Sequence, residues 1–223
     1  GASVHAVDKY GHTPLEHALH LCSNATLERV AEVASLLLEA GSDKTPKCRD
    51  LVRKIGANFE YHRSGFNPES VDAASAALDR LYALFDVPAV PRRAMHDGKS
   101  AIVATASRWE DRFDELWKLL VPSSGAAQTV QGEVIRIAGK VQHELDGNGG
   151  ANWDKQFQQM ADSWLAHIGT GIPLDAAAMG EAAAIIAEVK NRAGDTKRLC
   201  ELSELWVSRN PKPVALLPPS YDR

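Results

Sequence analysis

The stretch VHAVDKYGHTPLEHAL, residues 4–19, predicts how the first part of this chain folds. Gly11 suits a turn position with positive φ, because glycine has no Cβ that would clash there. Thr13 can cap a helix with its hydroxyl group. Pro14 fits the first helical turn, where its missing N–H would be unpaired in any case. The stretch therefore predicts a tight turn followed by a short helix.

A second helix is predicted shortly afterwards, in the segment VAEVASLLLEAGSD, residues 30–43. Apolar residues recur there at the helical spacing i, i+3, i+4, i+7 and i+8. These positions are Val30, Val33, Ala34, Leu37 and Leu38. Gly41 follows them and is typical of a helix end. We therefore expect two antiparallel helices joined by the connector CSNATLER, residues 22–29.

The order of these residues resembles the ankyrin repeat, in which a turn is followed by two helices. The matching positions are Gly1, Ala2, Val4, Ala6, Asp8, Gly11, Thr13, Pro14, Leu15, Ala18, Gly41 and Asp43. The chain departs from the family at Glu16, where a histidine usually makes hydrogen bonds between repeats. The distance from Gly1 to Gly41 also exceeds the ~33 residues of the family, which we ascribe to the long connector.

The resemblance implies a protein-binding surface on the turn tips and the first helix. The residues expected to face a protein partner are Val7, Lys9, Tyr10, His12, His17 and His20. Tyr10 is the strongest candidate, because a large aromatic side chain at a turn tip is a good interface anchor. One repeat cannot bury its own apolar faces, so we also expect further repeats before Gly1.

The remaining sequence predicts more helices, and the fold class is all-α: one or more ankyrin-type helical hairpins followed by an irregular helical domain. The segment TPKCRDLVRKIGANFEY, residues 45–61, is expected to close the array. We therefore predict one domain over residues 1–64 and a helical domain of unknown function over residues 65–223. A short strand is expected at SAIVAT, residues 100–105. The proline-rich tail, residues 211–223, should lie extended across the surface.

Composition excludes several classes of function. The chain has 25 basic and 29 acidic residues, and neither half has an excess of basic residues. Neither half is therefore a nucleic-acid-binding surface by charge. No apolar run approaches the ~20 residues needed to span a bilayer, so no membrane partner is expected. The three cysteines are far apart, and their odd number fits poorly with a secreted disulfide framework. We interpret this as a protein of the reducing cytoplasm.

The sequence predicts no catalytic residue, no cofactor and no metal. His17 and His20, with Glu16 beside them, could seat a metal, but they belong to the expected turn and first helix, and no HExxH motif or cysteine pair completes a site. The glycine-rich segment DGNGGANWD, residues 146–154, lacks the lysine of a phosphate-binding loop. We expect a plain turn between helices there, with Asn152 as the helix cap.

The segment VPSSGAAQTVQGEVIRIAGKVQHEL, residues 121–145, places Gly132, Arg136 and Gly139 along one stripe of a helix. Glycine inside a helix costs ~1 kcal/mol relative to alanine, which suggests close approach by another helix or room at the guanidinium. We favour a tightly packed helix in which Arg136 pairs with Glu133 or Glu144. The alternative is a ligand pocket, whose residues would be Gln131, Glu133, Arg136 and Lys140.

The same segment resembles a motif of small uncharacterised bacterial proteins, Pro-x-x-Gly-x-Ala-x-Thr-Val-Gln-Gly-Glu-x-x-Arg, which carries no known activity. The sequence thus favours a protein–protein interaction module, and this second resemblance alone suggests a bacterial immunity or antitoxin-like protein. The alternative is an enzyme or small-anion binder with a cleft around Arg136 and residues 146–154. A structural subunit of an assembly is a third hypothesis.

Overall fold

The computed structural model describes residues 3–222 and divides the chain into two compact units, Gly1–Arg93 and Ala94–Arg223. The expected match of Gly1 and Ala2 to a preceding repeat lies outside the described residues. All regular structure in residues 3–222 is helical apart from one isolated β-bridge between Thr129 and Ala215, so the predicted all-α class is confirmed. The strand expected at residues 100–105 does not form.

Four helices make up the first unit and five the second, counted over the part of the chain that the structure describes. In the first unit they are α1 (Pro14–His20), α2 (Leu27–Glu39), α3 (Pro46–His62) and α4 (Pro68–Phe85). In the second they are α5 (Trp109–Leu120), α6 (Val130–Gln142), α7 (Lys155–Ile168), α8 (Ala176–Val189) and α9 (Thr196–Arg209). Short helical turns follow α1, α3 and α6.

The start of α1 forms as the sequence predicts. Thr13 accepts a hydrogen bond from the Glu16 N–H, and the Glu16 carboxylate accepts one from the Thr13 N–H, which together make a capping box. The same threonine–proline start recurs at α3, where Thr45 caps the Cys48 N–H. The Thr45 hydroxyl also donates to Glu16 at 2.8 Å. Glu16, which stands where the ankyrin family usually has a histidine, therefore links the starts of α1 and α3.

The first unit consists of two helix pairs. Helices α1 and α2 pack together, as do α3 and α4; α3 also packs on α1, and α4 on α2. The apolar face of α4, which includes Leu78, Leu81 and Phe85, lies in the same core as α1 and α2. The boundary predicted at residues 64 and 65 is therefore wrong: the division falls at Arg93, because α4 completes the first core.

Helix α6 is the centre of the second unit and packs against α5, α7 and α9. Every residue from Val130 to Ala138 is buried, so α6 has no solvent face over this stretch. A helix buried on all sides is normally apolar throughout. Here Gln131, Glu133 and Arg136 are buried with it, so each needs a partner inside the protein.

The proline-rich tail, residues 211–223, forms hydrogen bonds with the chain at the start of α6. The Val130 N–H donates to the Val214 carbonyl, and the Leu216 N–H donates to the Gln128 carbonyl. The prediction that the tail lies on the surface is wrong for Tyr221, which is 6% exposed and packs into the second core. The tail therefore belongs to the fold of this unit.

Candidate functional site

The first candidate site is the turn before α1. One carboxylate oxygen of Asp8, Oδ1, accepts hydrogen bonds from the Tyr10 N–H at 2.8 Å and the His12 N–H at 2.9 Å. Gly11 has φ of 75°, the left-handed conformation predicted for it. These bonds fix the backbone of the turn, and the Tyr10 side chain remains exposed to solvent.

Rings gather at this turn and along α1. The ring centroids of Tyr10 and His12 are 6.3 Å apart, those of His12 and His20 are 5.2 Å apart, and those of His12 and His17 are 6.4 Å apart. The Lys9 ammonium lies 4.9 Å from the centre of the Tyr10 ring, which is a cation–π distance. The structure thus brings these predicted partner-facing residues together.

This cluster is open to solvent. Tyr10 is 70% exposed and Val7 is 65% exposed, while His17 and His20 are also exposed and His12 is half-buried. We name the surface of Val7, Lys9, Tyr10, His12, His17 and His20 the turn surface. It combines apolar, aromatic and ionisable groups, which suits it to contact with another protein.

Asp8 also belongs to this site, although the sequence marked it only as a position that matches the ankyrin repeat. Its second carboxylate oxygen, Oδ2, lies 3.5 Å from His12 Nδ1 and 3.3 Å from His17 Nδ1. The hydrogen bond from the His12 N–H is the main cause that lowers the pKa of Asp8, so the carboxylate is charged at neutral pH. Glu16, which the sequence placed beside the histidines, is instead buried and bonded to Thr13 and Thr45.

No family model, curated protein or solved structure matches this chain. The assignment of a site therefore depends on the geometry of its own residues.

The second candidate site is the centre of α6. The Arg136 guanidinium donates to both oxygens of Glu133, at 2.8 Å and 2.6 Å, and both side chains are at most 1% exposed. Burial alone would raise the pKa of Glu133, but the hydrogen bonds and charge of Arg136, together with the hydrogen bonds from Tyr221 and Ala127, outweigh it and lower that pKa. Glu133 is thus the partner of Arg136, as the favoured interpretation of the sequence expected, and Glu144 is not.

The Glu133 carboxylate also accepts hydrogen bonds from two other groups. It accepts a hydrogen bond from the Tyr221 hydroxyl at 2.6 Å and one from the Ala127 N–H at 3.0 Å. Burial is the main cause that raises the pKa of Tyr221, so its hydroxyl is a protonated donor at neutral pH. We name Glu133, Arg136 and Tyr221 the buried triad.

The other two residues of the predicted pocket are Gln131 and Lys140. The Gln131 amide donates to the carbonyls of Asn210 and Lys212, and its oxygen accepts the Val214 N–H. Gln131 therefore holds the tail in place. Lys140 is half-buried, near the far end of α6.

The glycines of α6 are contact points for the neighbouring helix α5 and the loop after it. A Cβ atom at Gly132 would lie 2.9 Å from the Cβ of Ala127 and 3.2 Å from the Leu120 carbonyl oxygen. A Cβ atom at Gly139 would overlap the Trp117 ring. Close approach by another helix, one of the two predicted reasons for glycine here, is thus what the structure has.

We expect the substitution Gly139→Ala to lower the free energy of unfolding by about 1–3 kcal/mol, because the Trp117 ring would have to move. Gly180 in α8 is the matched control, since a Cβ there meets no atom within 4 Å. Gly180→Ala should raise stability by up to ~1 kcal/mol through helix propensity alone. Chemical denaturation of the two variants measures both changes. A loss of stability in Gly139→Ala together with a gain in Gly180→Ala supports the packing role of Gly139, and a gain of stability in both variants contradicts it.

The glycine-rich turn at residues 146–154 is filled by a carboxylate of the chain itself. Glu144 accepts hydrogen bonds from the side chains of Asn148 and Asn152 and from the Asn152 N–H. The predicted cap of the following helix is wrong: Asp154, rather than Asn152, accepts the N–H groups of Gln156 and Phe157. The turn therefore binds an internal anion.

The second unit also has a cleft of about 170 Å³ that the sequence did not indicate. Its lining residues are Trp109, Glu110, Phe113, Asp114, Gln142, Lys197 and Cys200. Burial raises the pKa of the Cys200 thiol to about 12, so it is not a thiolate at neutral pH. Because a thiol reacts poorly as a nucleophile, this cleft lacks an activated cysteine.

Proposed function

We propose that this chain is a protein-binding module that contacts its partner through the turn surface. The observation that carries the proposal is the position of Tyr10: it is 70% exposed at a turn tip and stands beside a group of imidazole rings. Aromatic side chains at the centre of an interface provide much of its binding energy. A hydrogen-bonded turn that holds such a side chain in advance also reduces the entropy lost on binding.

We propose that the first unit is of the ankyrin type. Support comes from the threonine–proline starts of α1 and α3, from the stacking of α1 on α3 and α2 on α4, and from the Glu16–Thr45 bond between the two pairs. Stacked helix pairs of this kind commonly bind proteins through their turns and first helices. The turn surface comprises residues of the turn before α1 and of α1, which supports the proposal.

A bacterial immunity or antitoxin-like role is a narrower form of the same proposal. The resemblance of residues 121–145 to a motif of bacterial proteins supports it. A cytoplasmic location agrees with the three free cysteines, Cys22, Cys48 and Cys200. Within residues 3–222, no helix has both the length and the apolar character needed to cross a bilayer.

The alternative, an enzyme or small-anion binder, would need Arg136 or the 146–154 turn to receive an external group. Arg136 already pairs with Glu133, and the turn already surrounds Glu144.

Capture from native cell extract on the immobilised chain separates a protein-binding module from an enzyme or small-anion binder. A single stoichiometric protein supports the binding module, and a co-purified small molecule without a protein contradicts it.

Tyr10→Ala should weaken the affinity for the captured protein by about thirtyfold, which corresponds to ~2 kcal/mol. The variant should keep its melting temperature, because the lost side chain is mostly in water. Isothermal titration calorimetry measures the affinity. Leu217→Ala is the control, since it removes an 82% exposed side chain from the second unit. An unchanged affinity for Tyr10→Ala would show that the turn surface is not the interface.

A further inference from the structure

We propose that Asp8, His12 and His17 form a binding site for a divalent transition-metal ion of the zinc class. One ligand atom from each residue lies within 4.8 Å of the other two. The sequence predicted no metal here, because the candidate ligands Glu16, His17 and His20 belong to the expected turn and first helix and no HExxH motif or cysteine pair completes a site. The proposal does not depend on the partner: it concerns the chain alone.

The two oxygens of the Asp8 carboxylate have different partners. Oδ1 accepts the N–H groups of Tyr10 and His12 and thereby holds the turn. Oδ2 faces the two imidazoles. The turn therefore fixes a charged oxygen in position beside two nitrogen ligands, so part of the cost of ordering the site is met when the chain folds.

The distances fit a shared metal better than direct hydrogen bonds. Two ligand atoms at 2.0–2.1 Å from a tetrahedral zinc ion are roughly 3.4 Å apart. The Asp8 Oδ2 atom lies 3.5 Å from His12 Nδ1 and 3.3 Å from His17 Nδ1. Both separations exceed the usual 2.7–3.2 Å of an N–H···O bond. His17 is exposed, so its ring can rotate to bring the two imidazoles to the same spacing.

The ligand set selects the kind of ion. Imidazole nitrogen suits zinc, copper and nickel, whereas magnesium and calcium prefer oxygen ligands throughout. Three protein ligands on a tetrahedral ion leave the fourth position open, as in zinc sites that bind an exogenous group. Because the cluster lies on the turn surface, that position faces solvent.

Calorimetric titration of the whole chain with zinc chloride tests the proposal. We expect one zinc ion per chain at this site, with affinity at least tenfold weaker in Asp8→Asn and in His17→Gln. Asp8→Asn retains an oxygen that can accept the turn hydrogen bonds. His17→Gln changes only an exposed side chain of α1 and keeps the test valid if the first variant disturbs the turn. Circular dichroism checks that both variants are folded.

His5→Gln is the matched control. His5 is also exposed and also lies beside an aspartate, with 3.7 Å between His5 Nδ1 and Asp43 Oδ2, but it is outside the group of three. The zinc affinity of His5→Gln should equal that of the unmodified chain. The proposal is overturned if zinc does not bind, if Asp8→Asn and His17→Gln bind as the unmodified chain does, or if His5→Gln weakens binding equally. Since no partner is present, these results leave the partner proposal separately testable.

Discussion

Arg136→Ala is expected to lower the free energy of unfolding of the second unit by about 3 kcal/mol or more, because it leaves the carboxylate of Glu133 buried without its charge partner. The melting temperature should fall by roughly 10 °C. The low pKa of Glu133 gives this effect a pH dependence: the stability from the pair is present above the ordinary glutamate pKa and is lost as pH falls through the lowered value. Differential scanning calorimetry measures the change.

Arg198→Ala is the control for this experiment. Arg198 also donates two hydrogen bonds to a carboxylate, that of Glu181, and lies 2.8 Å from the carboxylate of Glu201, but both pairs are partly exposed. An exposed ion pair contributes about 1 kcal/mol or less. Two results would count against a structural role for the triad: an equally small effect of Arg136→Ala, or an unchanged melting temperature together with loss of a bound ligand. The second would make α6 the site.

Tyr221→Ala should be the other strongly destabilising substitution, with a loss of about 3–5 kcal/mol in the free energy of unfolding. It removes a buried aromatic ring and a hydrogen bond to the charged Glu133. Tyr221→Phe keeps the ring and should lose about 1.5–3 kcal/mol, the contribution of a hydrogen bond to a charged group. Urea denaturation of the two variants separates packing from hydrogen bonding.

Leu217→Ala serves as the control in the same tail, because Leu217 is 82% exposed and should be close to neutral. Similar small effects for Leu217→Ala and Tyr221→Ala would mean that the tail does not stabilise the unit.

Arg136→Ala and Tyr221→Ala both remove a partner of Glu133. Their effects should therefore not add in the double variant.

Local patterns were sufficient to predict the helices of this chain. The threonine–proline start of α1 and the 3.6-residue spacing of apolar positions in α2 both correspond to helices in the structure. A close approach by another helix at Gly139 was one of the two explanations that the sequence offered, because glycine within a helix is costly without a close neighbour. These features depend on residues that are near each other in the chain.

Long-range partners could not be predicted in the same way. The apolar face of α4 fits either unit by pattern, and only its packing on α2 assigns it to the first. The pairing of Tyr221 with Glu133 joins the tail to α6, and no periodicity indicates it. The Asp8–His17 contact depends on the turn between them, which brings a loop residue to the face of α1.

Hydrogen exchange on the chain with its captured protein partner reports where on the chain the partner binds. Exchange of a backbone amide slows where binding covers it or stabilises its local structure. If the partner binds the turn surface, we expect slower exchange over residues 7–20 when the partner is bound, with residues 121–154 unchanged. Slower exchange confined to residues 121–154 would contradict it and place the partner or ligand at α6 and the glycine-rich turn.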